Sequence, residues 1–231
     1  MQLEGIIFDK DGTLFDFAAT WSPWAAAFLR RAFEDEARAA EVGRVIGFDL
    51  ASGTFDPSSV VIAGTPDDII EVIVQACPDI PAGDLLEIIN TEAEKAPMAE
   101  AVPLAPLLDG LKARGLVLGV ATNDAEAPAV AHLSAVGVLD RFDFVSGSDS
   151  GYGGKPQPGQ LLAFAEQHGL DPSRVAMVGD SLHDLKAGKA AGFLRVGVLT
   201  GMATEEDLRV HADVVLPNIG HLPAWLYQLA G

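Results

Sequence analysis

The stretch that decides the fold is residues 3–13, LEGIIFDKDGT. It opens with an apolar run, residues 3–8, that stops at a polar loop containing a glycine, which is typical of a strand buried in a parallel sheet. Two carboxylates, Asp9 and Asp11, follow the run directly. Because open α/β sheets bind ligands beyond the carboxyl ends of their strands, the sequence places both acids where a site would form.

Similar apolar runs recur along the chain and alternate with helical patterns. The runs predict further strands at residues 116–121, 142–145, 175–178 and 194–198, and a weaker one at 213–216. The helical patterns lie at residues 104–114, 125–136, 157–168, 182–190 and 205–210. Strands that alternate with helices of about ten residues indicate a parallel sheet with right-handed crossovers. The predicted fold class is therefore α/β.

Residues 16–102 interrupt this alternation with a mostly helical insertion. Ser22 and Pro23 have the pattern of an N-cap followed by a proline in the first turn, and they predict a long helix to about residue 42. The pair Thr65 and Pro66, followed by acids, predicts a second helix. The apolar spacing of residues 81–96 predicts a third.

The composition is globular and strongly acidic. The 231 residues include 15 Lys and Arg against 33 Asp and Glu, a net charge of −18, and the insertion holds 5 of these basic and 16 of these acidic residues. This balance argues against a nucleic-acid partner and against an anionic membrane surface, which both require clustered basic residues. Small anionic substrates are not excluded, because they respond to the local field of a site.

Cellular location and disulfide content follow from simple features of the sequence. The single cysteine, Cys77, cannot form an internal disulfide. The first residues lack the basic region of a secretory signal, and no apolar stretch reaches the length of a membrane span. We therefore expect a cytoplasmic protein without a membrane partner.

Asp9 and Asp11 have the spacing and position for phosphoryl chemistry. An aspartate can attack phosphorus and form an acyl phosphate. A second acid nearby can give a proton to the leaving group and then take one from water. A pair of carboxylates also suits Mg²⁺, which prefers hard oxygen ligands. The alternative interpretation is an ordinary Asp-Gly turn.

Three further motifs follow later strands, and each has a structural alternative. Thr122 and Asn123 stand before a helix, where hydroxyl and amide groups can hold a phosphate or simply cap the helix. Lys155 could offset phosphoryl charge or be a solvated loop lysine. Asp180 and Asp184 lie one helical turn apart and could bind a metal or cap the next helix. All four motifs would meet at one edge of a parallel sheet.

Taken together, the four motifs resemble those of the haloacid dehalogenase-like hydrolase superfamily. The chain has Asp9-x-Asp11-Gly-Thr, then Thr122, Lys155 and Gly179-Asp180-Ser-x-x-Asp184, in the order of that family. The similarity covers about residues 1–15 and 103–215, and the insertion resembles the helical cap of the phosphoglycolate phosphatase-like branch. The resemblance implies a Rossmann-like parallel-sheet core, residues 1–15 and 103–231, with a mobile α-helical cap, residues 16–102, inserted after the first strand.

The resemblance also implies a role for each motif residue. Asp9 would be the nucleophile and Asp11 the general acid and base. Mg²⁺ would be held by Asp9, the backbone carbonyl of Asp11 and Asp180, while Asp184 would support the metal or orient Lys155. The phosphoryl oxygens would be held by Thr122, Lys155 and backbone amides, including that of Asn123.

The predicted function is a Mg²⁺-dependent phosphatase that hydrolyses a small phosphorylated metabolite through an aspartyl-phosphate. An acid at position 11 favours transfer to water, because departure of an alcohol needs a proton donor. On the resemblance alone, the best named substrate is 2-phosphoglycolate. A sugar-phosphate mutase of the β-phosphoglucomutase type and a non-catalytic binding or regulatory member stay open. The oligomeric state is also left open.

Substrate specificity is expected to lie in the insertion. Residues 43–65 form a polar, Gly- and Ser-rich connector of unusual length, which suits a binding loop. Its one basic residue, Arg44, is a candidate for a substrate carboxylate, or it ends the first helix of the insertion. Trp21 and Trp24, near the start of that helix, are predicted to pack inside the insertion or its hinge.

Overall fold

The computed structural model describes residues 2–230, and the chain there forms eight strands and ten α-helices. The strands are β1 Gly5–Phe8, β2 Phe48–Asp49, β3 Thr54–Phe55, β4 Val117–Ala121, β5 Phe144–Ser146, β6 Val175–Gly179, β7 Leu194–Val198 and β8 Val214–Leu216. The helices are α1 Phe17–Ala32, α2 Glu36–Val45, α3 Pro66–Ala76, α4 Ala82–Ala93, α5 Leu104–Lys112, α6 Glu126–Ala135, α7 Gly159–His168, α8 Leu182–Ala191, α9 Glu205–Arg209 and α10 Leu222–Ala230.

Six of the strands form one parallel sheet in the order β5-β4-β1-β6-β7-β8. The first strand pairs with β4 on one side and β6 on the other, so its carboxyl end lies between the carboxyl ends of both neighbours. The strand order reverses around β1, and such a switch point is where open α/β sheets bind ligands. The predicted α/β class and the predicted strands are confirmed.

The sheet is covered by helices on both faces. Ile6 and Phe8 of β1 pack with the apolar residues of α5 and α10, whereas Ile7 packs with those of α7 and α8. This alternation follows from the period of two along a strand. Burial on both faces explains why the strand sequences are continuously apolar and do not alternate between apolar and polar residues.

The beginning of the insertion differs from the prediction. The single helix expected from Ser22 to about residue 42 is two helices, α1 and α2. Asp16 caps α1 by accepting from the N–H of Ala19 at 2.8 Å, so Pro23 lies inside the helix rather than in its first turn. Phe33 is extended, and Asp35 caps α2. The two aspartate caps determine these boundaries, because each satisfies N–H groups that have no partner inside a helix.

The connector at residues 43–65 is more ordered than a polar loop. It contains the antiparallel pair β2 and β3 and a single 3₁₀ turn, Val60–Ile62. Phe48 and Phe55 face one another across the pair, with ring centroids 4.7 Å apart. The predicted cap at Thr65 is confirmed, since Thr65 and Asp68 form a reciprocal capping box at the start of α3.

The insertion has an apolar core of its own. Trp24 and Phe28 of α1 stack with centroids 5.5 Å apart, and the indole N–H of Trp24 donates to the carbonyl of Ile89 on α4 at 3.1 Å. Both side chains belong to a cluster of buried residues that runs from Phe17 to Ala93 and is separate from the clusters of the sheet. The division into a core domain and a cap domain stays a prediction. Across residues 2–230, no helix combines the length and the apolar character that crossing a membrane requires.

Candidate active site

Asp9 lies at the centre of the sheet's carboxyl edge. It directly follows β1, and its backbone N–H donates to the carbonyl of Val178 on β6 at 2.8 Å, so its position is tied to the neighbouring strand. Its carboxylate faces Lys155, whose Nζ lies 2.5 Å from Oδ1 of Asp9 and 2.7 Å from Oδ1 of Asp184. All three side chains are buried. The solvated-loop alternative for Lys155 is therefore wrong.

Two more carboxylates come from the end of β6 and the start of α8. Asp180 follows β6, and Asp184 lies in the first turn of α8. Ser181 and Asp184 cap that helix reciprocally, and Oδ2 of Asp184 accepts from the N–H and the hydroxyl of Ser181 at 3.0 and 2.7 Å. Capping and ion pairing therefore fix the Asp184 carboxylate at both oxygens. Carboxylate oxygens of Asp9, Asp180 and Asp184 all lie within 4.8 Å of one another.

Two glycines leave the space that the Asp180 carboxylate occupies. A Cβ at Gly12, where φ is +79°, would lie 2.5 Å from Oδ2 of Asp180, and a Cβ at Gly201 would lie 1.6 Å from the same atom. Thr200 donates its hydroxyl to the carbonyl of Gly12 at 2.6 Å, which joins the loop after β7 to the loop after β1. Residues 200 and 201 also follow the carboxyl end of a strand, but no motif in the sequence indicated them.

Asn123 holds the lysine loop and the insertion together. Its Oδ1 accepts from the backbone N–H of Lys155 at 2.8 Å, and its Nδ2 donates to the carbonyls of Lys155 and Ala63 at 2.9 and 2.8 Å. Neither Thr122 nor Asn123 caps α6, because the N-cap of that helix is Ala125, which makes no side-chain cap. The capping alternative is therefore wrong, and Thr122 lines the cavity above Asp9.

Asp11 is paired with a buried lysine that the sequence reasoning did not single out. Lys10 Nζ lies 2.9 and 2.7 Å from the two carboxylate oxygens of Asp11 and 3.2 Å from Oδ2 of Asp124. It also lies 2.9 Å from Nδ1 of His132. The only signal in the sequence was a lysine two residues after a buried strand, where a charged side chain needs partners.

A cavity lies between the sheet edge and the insertion. Its floor is polar and includes Asp9, Asp11, Thr122, Lys155 and Asp180. Its opposite wall is apolar and comes from α1, the 3₁₀ turn, α3 and α4, through Phe17, Trp21, Val61, Ile62, Ile69 and Ile89. The connector at residues 43–65 therefore contributes to this wall, as expected.

Arg44 is not brought to the cavity. It lies exposed in the last turn of α2 and does not line the cavity. Its positive charge acts on Asp49 and helps to lower the pKa of that carboxyl, after the hydrogen bonds that Asp49 accepts from Ser52 and Ala51. This position at the end of a helix agrees with the structural alternative for Arg44.

Comparison with known proteins decides the family. A family model described as haloacid dehalogenase-like hydrolase matches residues 3–192. The chain belongs to the haloacid dehalogenase-like hydrolase family. This confirms the family named from the four motifs.

Individual relatives agree with this family. A probable phosphatase, IndB, of Dickeya dadantii is 31% identical over 91% of this chain and 87% of its own length. A phosphoglycolate phosphatase of Rhodospirillum rubrum is 38% identical, but the match spans only 52% of this chain and 50% of that protein. A crystal structure described as a predicted phosphoglycolate phosphatase from Haemophilus somnus has a TM-score of 0.74 at 21% identity over 97% of this chain and 98% of its own, which shows a shared fold. The predicted enzyme class, a phosphoric monoester hydrolase of this family, is confirmed.

Members of this family that are phosphatases generally use a divalent metal, and the buried carboxylates fit one. Asp9, Asp180 and Asp184 bring three negative charges together, and Lys155 supplies one positive charge, so a fully ionised cluster has an excess of two negative charges. Carboxylate oxygens are the ligands that hard divalent cations prefer. A divalent cation would cancel the excess.

Burial and neighbouring charges shift the pKa values of Asp9, Asp180 and Lys155. Burial raises the pKa of Asp9 to about 7, with Lys155 opposing the shift and Asp184 and Asp11 adding to it. Burial and the charges of Asp9 and Asp184 raise the pKa of Asp180 well above its ordinary value. Burial alone would lower the pKa of Lys155, but Asp184 and Asp9 together raise it. Lys155 is therefore a permanent cation, and Asp9 and Asp180 hold protons more readily than an ordinary aspartate does.

Divalent metal binding should strengthen as pH rises from 6 to 8. Below about pH 7, a proton on Asp9 competes with the cation, so binding should release a proton and affinity should rise about tenfold per pH unit for one proton released. Above the pKa of Asp9 the contribution of this residue to the dependence should flatten. Isothermal calorimetry with Mg²⁺ in two buffers of different ionisation enthalpy measures both quantities. Equal affinity at pH 6 and 8 without proton release would contradict this linkage.

The substitution Gly201→Ala should weaken Mg²⁺ binding about tenfold or more without unfolding the protein. The added Cβ would occupy the place of the Asp180 carboxylate, which must then move. The matched control is Gly110→Ala on α5, where an added Cβ meets no atom within 4 Å. Calorimetry and circular dichroism check both variants. Unchanged affinity in Gly201→Ala would show that the position of Asp180 does not control the metal.

Proposed function

We propose that this chain is a Mg²⁺-dependent phosphatase that hydrolyses a small phosphomonoester through an aspartyl-phosphate on Asp9. The observation that carries the proposal is the contact of the Asp9 carboxylate with Lys155 at 2.5 Å, on a cavity floor shared with Asp180 and Asp184. This arrangement offers a nucleophile, a cation for phosphoryl oxygens and a set of metal ligands at one point.

The proposed reaction uses Asp9 and Asp11 in two steps. In the first, a carboxylate oxygen of Asp9 attacks phosphorus, the bond to the ester oxygen breaks, and Asp11 gives a proton to the departing alcohol. In the second, Asp11 takes a proton from a water molecule that attacks the same phosphorus, and phosphate leaves Asp9. Because the alcohol departs protonated, charge does not accumulate on it in the buried cavity.

The other floor residues position the phosphoryl group. Lys155 and Thr122 line the cavity beside Asp9 and can contact the non-bridging phosphoryl oxygens, whose negative charge Lys155 offsets. Asp9, the backbone carbonyl of Asp11 and Asp180 would hold Mg²⁺, with Asp184 supporting the metal or orienting Lys155. Bound there, Mg²⁺ would neutralise charge on the phosphoryl oxygens.

The names of the relatives and the lining of the cavity favour different leaving groups. The Rhodospirillum rubrum relative is named a phosphoglycolate phosphatase, which favours 2-phosphoglycolate. Among the described residues that line the cavity, Lys155 alone carries a permanent positive charge, and it is paired with Asp9 and Asp184. His183 lies nearby, but burial lowers its pKa, so it is neutral at pH 7. The apolar wall therefore favours a compact, uncharged leaving group over a carboxylate.

Mutating the nucleophile tests the mechanism. Asp9→Asn should lower kcat/KM for p-nitrophenyl phosphate about a thousandfold or more, because an amide cannot form the acyl phosphate. The matched control, Asp84→Asn, changes an exposed acid in the first turn of α4 and should leave turnover unchanged. Comparable activity in wild type and Asp9→Asn would remove Asp9 from the mechanism.

Incubation with β-glucose 1-phosphate distinguishes a phosphatase from a sugar-phosphate mutase, because a phosphatase releases phosphate whereas a mutase forms glucose 6-phosphate.

A pair of similar esters tests the leaving group. The cavity predicts that 2-hydroxyethyl phosphate is hydrolysed with a higher kcat/KM than 2-phosphoglycolate, because only the latter brings a carboxylate toward a wall without a free cation. Phosphate release at matched Mg²⁺ concentration measures both. A tenfold preference for 2-phosphoglycolate would show that the wall recognises the carboxylate.

We also propose a cytoplasmic location, where small phosphorylated metabolites are available.

A further inference from the structure

Lys10 is a buried cation that the proposed reaction does not use. Its side chain is fully buried, although it immediately follows the nucleophile, and it does not line the cavity. Burying an ammonium group without compensation is costly, so its partners must offset the loss of water. It has three: both oxygens of Asp11, an oxygen of Asp124, and Nδ1 of His132. An ammonium group has three N–H donors, so this set of partners matches its capacity.

The histidine extends this network to the insertion. Nε2 of His132 lies 2.6 Å from the carbonyl oxygen of Ala93, the last residue of α4. A carbonyl can only accept, so Nε2 carries the hydrogen, and the unprotonated Nδ1 accepts from Lys10. Burial and the charge of Lys10 lower the pKa of His132 to about 4, which agrees with this neutral form. The position of α4 is thus linked to the ammonium group that holds Asp11.

A second contact joins Lys10 to the insertion. Its Nζ lies 5.3 Å from the ring centroid of Trp21, within the range of a cation–π interaction. Trp21 is on α1 and also forms part of the cavity wall. Lys10 therefore contacts α1 directly and α4 through His132, while it holds the carboxylate of Asp11 at the floor.

We propose that Lys10 is a positioning residue that fixes the carboxyl group of Asp11 for proton transfer to the leaving group, in a place linked to α1 through Trp21 and to α4 through His132. The inference rests on the proposed function, because it assigns Lys10 a role in the proton transfer that Asp11 performs. A lysine that only neutralised buried charge would affect folding but would not distinguish one leaving group from another.

The test is the dependence of kcat/KM on the leaving group. Lys10→Met keeps a long unbranched side chain and removes the charge. If Lys10 positions Asp11, this variant should lose about a hundredfold or more with alkyl phosphates, whose alcohols need protonation, and only about threefold with 2,4-dinitrophenyl phosphate, whose leaving group does not. Equal losses for both esters would overturn the proposal. The control Lys112→Met removes an ion pair with Asp143 away from the cavity and should change neither value.

A double-mutant cycle separates positioning from structure. In an Asp11→Asn background, Lys10→Met should cause little further loss with the alkyl ester, because the group it acts through is gone. Additive losses would overturn the proposal. Wild-type protein that released no phosphate from any ester would instead overturn the proposed function, so the two failures are distinguishable.

Variants of His132 keep the proposal testable if Lys10→Met does not fold. His132→Leu breaks the link to Ala93 but leaves Lys10 beside Asp11 and Asp124. It should show the same selective loss with alkyl esters, at a smaller magnitude. His132→Gln retains an acceptor and a donor at similar reach and should restore part of that loss. A His132→Leu variant with an unchanged leaving-group dependence, confirmed as folded by its Tm, would exclude the link from the insertion to Asp11.

Discussion

The structure depends on a group of buried charges that do not balance by themselves. Asp9, Asp180 and Asp184 lie together at the edge of the sheet, and Lys155 supplies one positive charge against three negative ones. Three features position them: adjacent parallel strands, a capped helix start and glycines that leave room for a carboxylate. Burial, to which the charges of Asp184 and Asp11 add, raises the pKa of Asp9, and the excess negative charge favours a divalent cation at these oxygens.

The insertion complements this floor with a different chemistry. It has its own apolar core and turns an apolar wall toward the site, while its many acids add to the net charge of −18. In the proposed function, an anionic substrate must therefore be attracted by local features, namely Lys155 and a divalent cation, within acidic surroundings. Asn123 and His132, which follow β4, hydrogen-bond to the carbonyls of Ala63 and Ala93 in the insertion, so specific hydrogen bonds join the insertion to the sheet side of the site.

Much of the fold and the floor could be predicted from sequence because their signals are local. Apolar runs ending in polar loops identified the strands and placed Asp9, Lys155 and Asp180 at one edge. The roles of these residues stay proposals. What sequence reasoning missed depends on distant partners: Lys10 meets His132, 122 residues away, and Gly201 packs on Asp180. The predicted start of α1 at Ser22 was wrong. The helix begins earlier because Asp16 caps it, although Ser22 and Pro23 have the more familiar capping pattern.

In the proposed mechanism, Asp9 becomes phosphorylated during turnover. The most direct test is acid quenching of the enzyme with Mg²⁺ and a ³²P-labelled alkyl phosphate, followed by proteolysis and mass spectrometry of the labelled peptide. If Asp9 is the nucleophile, an acid-stable, base-labile label should appear on the peptide that contains Asp9, in an amount that rises before steady state and is absent in Asp9→Asn. Rapid phosphate release with no labelled peptide, or with the label on another residue, would contradict it.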